Sequence, residues 1–196
     1  NLDDLLQEAR SAIERAYAAL HTSRTEDGYE QITPAEIALL VDLTRCAYNA
    51  AYDLVKSGLK RRARESHSHR AEARHLYGMA LKAQGRKTEA ATFHSIAVTL
   101  QPLRTDFRRE YILTLLECDD MKGAAKQLGK ALSLVPEDGQ IIYCHARLLE
   151  QGDQQQEAKT KYRESIEALR GIPWAEHQYF CKDAQNRLET LCGRAH

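Results

Sequence analysis

The stretch that decides the fold is EARHLYGMALKAQGRKTEAATFHSIAVTLQP, residues 72–102. Small and apolar residues recur in it at helical spacing, a glycine interrupts it, and a proline ends it. It reads as two helices. The first covers about residues 71–84 and stops at Gly85, a residue that tolerates left-handed geometry. The second covers residues 87–100, and Pro102 blocks its continuation because proline lacks an N–H and clashes with the preceding turn. Gly78 and Ala90 leave room for the two helices to approach closely, and Ala97 does the same toward the next helix. Tyr77, Leu81, Val98 and Leu100 are expected to fill the seams.

The same unit returns downstream. A step of 34 residues carries Ala90 to Ala124 and Ala158, Leu81 to Leu115 and Leu149, and Ala97 to Ala131 and Ser165. Tyr77 steps to Tyr111, Leu100 to Leu134, and Pro102 to Pro136. Self-similarity at such a period marks stacked helical hairpins, because one hairpin cannot bury its apolar face alone and its neighbours can.

The period and the ordered residues resemble the tetratricopeptide repeat family. Its signature positions are occupied here by Arg74, Tyr77, Gly78, Leu81, Ala90, His94, Ala97 and Pro102 in the first unit. The second unit has Arg108, Tyr111, Ile112, Leu115, Ala124, Leu128, Ala131 and Pro136. The third has Ile142, His145, Ala146, Leu149, Ala158, Tyr162, Ser165 and Arg170. The first signature position is never Trp, and the glycine of the pattern occurs only once. The resemblance implies an all-α, right-handed superhelical array of helical hairpins with extra N-terminal helices and a C-terminal capping helix. It divides the chain into an N-terminal helical pair and basic linker (1–70), three repeats (71–104, 105–138 and 139–170) and the cap (171–196).

Outside the repeats, residues 2–23 carry an apolar stripe at helical spacing. The segment TPAEIALLVDLTRCAYNAAYDLVKSG begins with Thr33 as N-cap, Pro34 at the first helical position and Glu36 completing a capping box. It is expected to run to about Ser57 as a degenerate first helix of a repeat. PWAEHQYFCKDAQNRLETLC, from Pro173, reads as one last helix that solubilises the end of the array; the alternative is an exposed aromatic patch of Trp174, Tyr179 and Phe180.

Composition narrows the function. Lys plus Arg and Asp plus Glu balance at 28 each, so no global field draws the chain to nucleic acid. KRRAR at 60–64 is read as cations at a helix C-terminus. No run of 18 apolar residues occurs, so no membrane span is expected. The 5 cysteines are odd in number and widely spaced, without a CxxC pair, which argues for free thiols in a reducing, cytoplasmic setting and against structural zinc. SHSHR at 66–70 pairs His67 with His69, but a polar loop before a helix explains it without a metal. Asp119 and Asp120 fit a turn. No phosphate loop, nucleophile elbow or HExxH helix is present, and neither a cofactor nor catalysis is expected.

The family resemblance also implies where a ligand would sit: the concave face lined by the first helix of each hairpin. The residues carried over onto it are His75, Met79 and Lys82 from the first unit, Arg109, Leu113 and Leu116 from the second, and Tyr143 and Arg147 from the third. Arg109 and Arg147 flank an apolar centre and are expected to be exposed, suiting a peptide or amphipathic helix with acidic character. One form of the fold clamps the acidic C-terminus of chaperones with Lys, Asn and Arg; the matching positions here are His75, Met79, Glu110, Gln140 and Cys144, so that partner is disfavoured. The expected function is a non-enzymatic protein-interaction module of a larger protein or complex, with self-association possible. The alternative is a regulatory or substrate-docking domain of an enzyme whose catalytic part lies elsewhere.

Overall fold

Seven helices, joined by short turns, account for nearly all of the computed structural model's described residues, which are 4, 7, 63–83, 85–173 and 175–193. The expected N-terminal helices at 2–23 and 33–57 lie outside the described residues. The helices are α1 (Ala63–Ala83), α2 (Lys87–Leu100), α3 (Thr105–Glu117), α4 (Met121–Leu134), α5 (Gly139–Gln151), α6 (Gln155–Leu169) and α7 (Ala175–Gly193). No strand occurs among the described residues.

The turn inside each hairpin repeats atom for atom. Gly85, Asp119 and Asp153 sit 34 residues apart and all adopt left-handed backbone, with φ of 78°, 59° and 58°. After each, the next amide donates back five residues: Arg86 N to Leu81 O, Asp120 N to Leu115 O and Gln154 N to Leu149 O, each at 2.9 Å. The left-handed residues themselves donate to Lys82 O, Leu116 O and Glu150 O at 2.9, 3.1 and 3.2 Å. This pair of hydrogen bonds satisfies carbonyls that the end of a helix leaves orphaned. The turn is thus written into the backbone three times, with glycine at the first site and aspartate, which tolerates this region better than most residues, at the other two.

The chain divides into two compact units, Asn1–Phe107 and Arg108–His196. In the first, α1 packs against α2. Gly78 makes the approach possible: a Cβ built on it would lie 2.8 Å from His94 Cε1 and 3.0 Å from both ring nitrogens. His94 is fully buried, as expected of a histidine at an aromatic position of the repeat. Ala80, Leu81, Ala90, Ala97 and Val98 complete this core. The helix begins at Ala63, not near residue 71, so the histidine run at 66–70 is helical and not a loop. Nothing in ARESHSHR could stop a helix, since it holds neither glycine nor proline. Of the basic run at 60–64, Ala63 and Arg64 begin α1, and residues 60–62 lie outside the described residues.

In the second unit, α5 packs on α6, α6 on α7, and α4 on α5. Its core repeats the first unit's positions: Ile112 and Ala146, Leu115 and Leu149, Ala124 and Ala158, Leu128 and Tyr162, Ala131 and Ser165 are all buried. Gly139 opens α5 where a Cβ would meet Leu169 Cγ at 2.7 Å, and the Ser165 hydroxyl donates to its carbonyl at 2.7 Å. Asp138 caps α5, accepting from Gln140 N at 2.8 Å and Ile141 N at 3.0 Å. Asp120 caps α4 through Gly123 N at 2.9 Å, so the paired aspartates serve the turn, as the sequence suggests. The expected seam residue Leu100 is only half-buried, and its counterpart Leu134 is 41% exposed. Both stand at the last position of their helix, where the chain is already turning away.

Candidate ligand-binding face

The expected face residues lie on α1 (His75, Met79, Lys82), α3 (Arg109, Leu113, Leu116) and α5 (Tyr143, Arg147). In the first unit, His75 is buried, its ring stacked on Phe107 at 4.4 Å and 5.3 Å from that of His94. Arg104 lies over the same Phe107 ring at 4.2 Å and pairs with Asp106 at 2.6 Å. Met79 and Lys82 are half-buried. His75 is therefore part of a small aromatic cluster, while Met79 and Lys82 keep an accessible edge.

In the second unit, the expectation of an exposed arginine pair is overturned. Arg109 is 5% exposed. Its guanidinium donates to Gln140 and to Glu110 at 3.2 Å, reaches Glu176 at 2.5 Å, and lies 5.2 Å from the centre of the Phe180 ring. Leu113, Leu116 and Tyr143 are also buried. Arg147 is half-buried and donates to the Tyr143 hydroxyl at 3.2 Å. The predicted aromatic patch dissolves in the same way: Phe180 is buried, edge-on to Tyr143 at 5.0 Å, and Tyr179 is half-buried beside it. Trp174 lies outside the described residues.

What covers Arg109 and Tyr143 is α7. Tyr143 donates its hydroxyl proton to Asp183, whose carboxylate also accepts from Arg187 at 2.6 Å. Arg187 bonds Glu150 at 3.0 Å, and Glu150 accepts a further bond from the Tyr162 hydroxyl at 2.6 Å. Six side chains from α5, α6 and α7 thus form one connected polar network. Burial pushes the Tyr143 hydroxyl well above the ordinary tyrosine range, and Asp183 adds to this while Arg147 and Arg187 partly offset it. Tyr162 is raised by burial and then by its bond to Glu150. Both hydroxyls are held as neutral donors to carboxylates.

The sequence reading missed Glu176, Asp183 and Arg187 of α7, and named Phe180 only as part of an exposed patch. Glu176, Phe180, Asp183 and Arg187 fall at i, i+4, i+7 and i+11, which places them on one helix face. That spacing was visible, but its apolar member is single, so the stripe reads as an ordinary solvated helix. Gln151 does a separate job: its amide donates to Leu116 O at 2.9 Å and Asp119 at 2.7 Å, tying the end of α5 to the turn after α3.

Nothing among the described residues groups three or more His, Cys, Asp or Glu as metal ligands, and no helix among them is long and apolar enough to cross a membrane. Cys181 and Cys192 are free thiols. No protein-family model matches the chain, and no curated protein matches it. Among solved structures, the chain is similar to MamA 41-end from Desulfovibrio magneticus RS-1, at 15% identity over 78% of this chain and 93% of that one, with a TM-score of 0.44. It is similar to MamA MSR-1 C2 at 14% identity, over 80% of this chain and 98% of that one, with a TM-score of 0.43. It is also similar to BtubC from P. vanneervenii at 10% identity, over 99% of this chain and 92% of that one, with a TM-score of 0.48.

Proposed function

We propose that this chain is a non-enzymatic interaction module of stacked helical hairpins that binds a peptide or helix of another protein, as one part of a larger protein or complex. One observation carries the reading. Arg109 on α3 and Tyr143, Arg147 and Glu150 on α5 present hydrogen-bonding and charged groups from successive helical turns, and every one of them engages a partner on a neighbouring helix or along its own. A face that recognises one helix through specific polar groups is built for helices, not for small-molecule turnover. Its balanced charge argues against nucleic acid as the ligand. The free thiols suit a reducing, cytoplasmic setting.

The test is site-specific photocrosslinking in the native extract. A photoreactive residue placed at Met79 or Arg147, on the expected inner face, should capture a discrete partner protein. The same probe at Arg163, exposed on α6, should not. Capture from Arg163 with none from the two inner positions would overturn the reading.

A further inference from the structure

The helix α7 is seated on the ligand-binding face itself. Glu176 pairs with Arg109, Phe180 packs against Tyr143, Asp183 accepts the Tyr143 hydroxyl proton, and Arg187 reaches Glu150 at 3.0 Å. Arg109 and Tyr143 are positions through which the repeats are expected to hold a ligand, and Glu150 lies about two turns beyond Tyr143 on the same helix. Resting on the reading of this chain as a helix-binding module, we propose that α7 is its intramolecular occupant, and that the partner is a helix carrying the same Glu-x3-Phe-x2-Asp-x3-Arg stripe, which binds by displacing α7.

Three features favour exchange over a permanent cap. The contact is rich in charges and hydroxyls, which regain water when the helix leaves, so release forfeits less than it would from an all-aliphatic seam. The opposite face of α7, with Gln178, Gln185, Asn186 and Glu189, is exposed already and stays solvated in either state. The connection from α6 contains Gly171 at φ 78° with open space around it, and exposed Arg170 and Pro173 flank it. Release alone is still costly, because Phe180, Ala184 and Leu191 are buried. The displaced state therefore needs an incoming helix to refill the seat, which makes the device selective. A tethered helix competes at an effective concentration in the millimolar range. An outside helix sees only the open fraction, and its apparent affinity rises in proportion as the closed state is weakened.

The experiment uses the full chain and a fluorescent peptide spanning residues 173–193. Two chain variants loosen α7 to different degrees: Glu176→Gln, and Phe180→Ala with Asp183→Asn. By anisotropy, the unaltered chain should bind the peptide weakly, Glu176→Gln several-fold more tightly, and the double variant at least 10-fold more tightly. A peptide carrying the Phe180→Ala and Asp183→Asn changes should bind none of them. Equal binding of the altered and unaltered peptides, or no gain in a variant that keeps its helical circular dichroism, would overturn the proposal. Hydrogen exchange on the unaltered chain gives a second reading, independent of whether a variant folds. The α7 amides should exchange through a local opening that is faster than the opening of α5 and α6, and added peptide should leave α5 and α6 protected. Exchange of α7 only together with α5 and α6 would also overturn it. Photocrosslinking of a partner at Met79 and Arg147, combined with no peptide binding in either variant, would sink the exchange while leaving the interaction module standing.

Discussion

Replacing Gly78 by alanine isolates the geometry that lets α1 and α2 close on each other. In a helix interior, this change ordinarily stabilises by about 0.5–1 kcal/mol, because glycine has more backbone freedom to lose. Here the new methyl would stand 2.8–3.0 Å from three atoms of the His94 ring. That ring is fully buried and has the His75 ring 5.3 Å away, so it has little room to retreat. Overpacking of this kind costs roughly 1–3 kcal/mol, and the net effect should be a loss of about 0.5–2 kcal/mol. Gly129 supplies the control, since it lies in α4, is exposed, and has nothing within 4 Å of a built Cβ. Gly129→Ala should gain the full propensity term, so the two alanines should differ in sign. Urea unfolding followed at 222 nm, with hydrogen exchange of the α1 and α2 amides for the local effect, measures both. A double-mutant cycle with His94→Ala ties the loss to the ring: the coupling should be favourable and exceed about 1 kcal/mol. If Gly78→Ala matches the unaltered chain, or costs the same with His94 absent, the close-approach argument is wrong.

Further outcomes are expected elsewhere. Arg109→Ala should cost about 3 kcal/mol by removing the guanidinium that bonds the buried Gln140 and Glu110, whereas Arg86→Ala, from a fully exposed pair with Glu89, should change stability far less; chemical denaturation compares them. Asp153→Gly should stabilise by roughly 0.5–1 kcal/mol by relieving left-handed backbone, and Asp119→Gly should gain less because it loses the bond from Gln151 at 2.7 Å. Tyr143 and Tyr162 have folded-state pKa values above the unfolded value near 10, so the stability from their neutral hydroxyls is complete below about pH 10 and is lost as pH rises beyond it. Absorbance at 295 nm should show two tyrosines ionising only as helicity is lost, and ionisation of all of them near pH 10 with the fold intact would contradict the placement.

The repeat was legible because it is local. Leu81, Leu115 and Leu149 set the period, and the residue four places on from each takes the left-handed turn, so the backbone repeats what the letters repeat. The small residues were legible for the same reason: Ala90, Ala124 and Ala158 have one packing job each, and all three are fully buried. Periodicity also assigned the expected face residues to α1, α3 and α5. It could not say which would remain open. Arg109 meets Glu176 across 67 positions of sequence, and no local pattern encodes that distance. The start of α1 was misread for a different reason. A polar run such as SHSHR looks like a loop by hydropathy, but without glycine or proline the backbone has no cause to leave the helix.

The chemistry of the α7 seat argues for specificity more than for strength. Buried ion pairs are weak evidence of stability, since a well-packed apolar replacement often does as well. What they supply is register. An all-aliphatic helix face can slide by one turn, about 5.4 Å, and still find apolar neighbours. On this seat the same slide would take Asp183 off the Tyr143 hydroxyl and Glu176 off Arg109 together. It would leave the Tyr143 hydroxyl proton without its acceptor in a half-dry environment, an orphan that costs about 1–3 kcal/mol, while Arg109 would keep Gln140 and Glu110 and lose only Glu176. A competing helix meets the same filter: one with the right apolar residue but no carboxylate opposite Tyr143 is rejected by the orphan it creates, not by a lack of contact. Phe180 makes the seat fit a helix, and the carboxylates before and after it decide which helix.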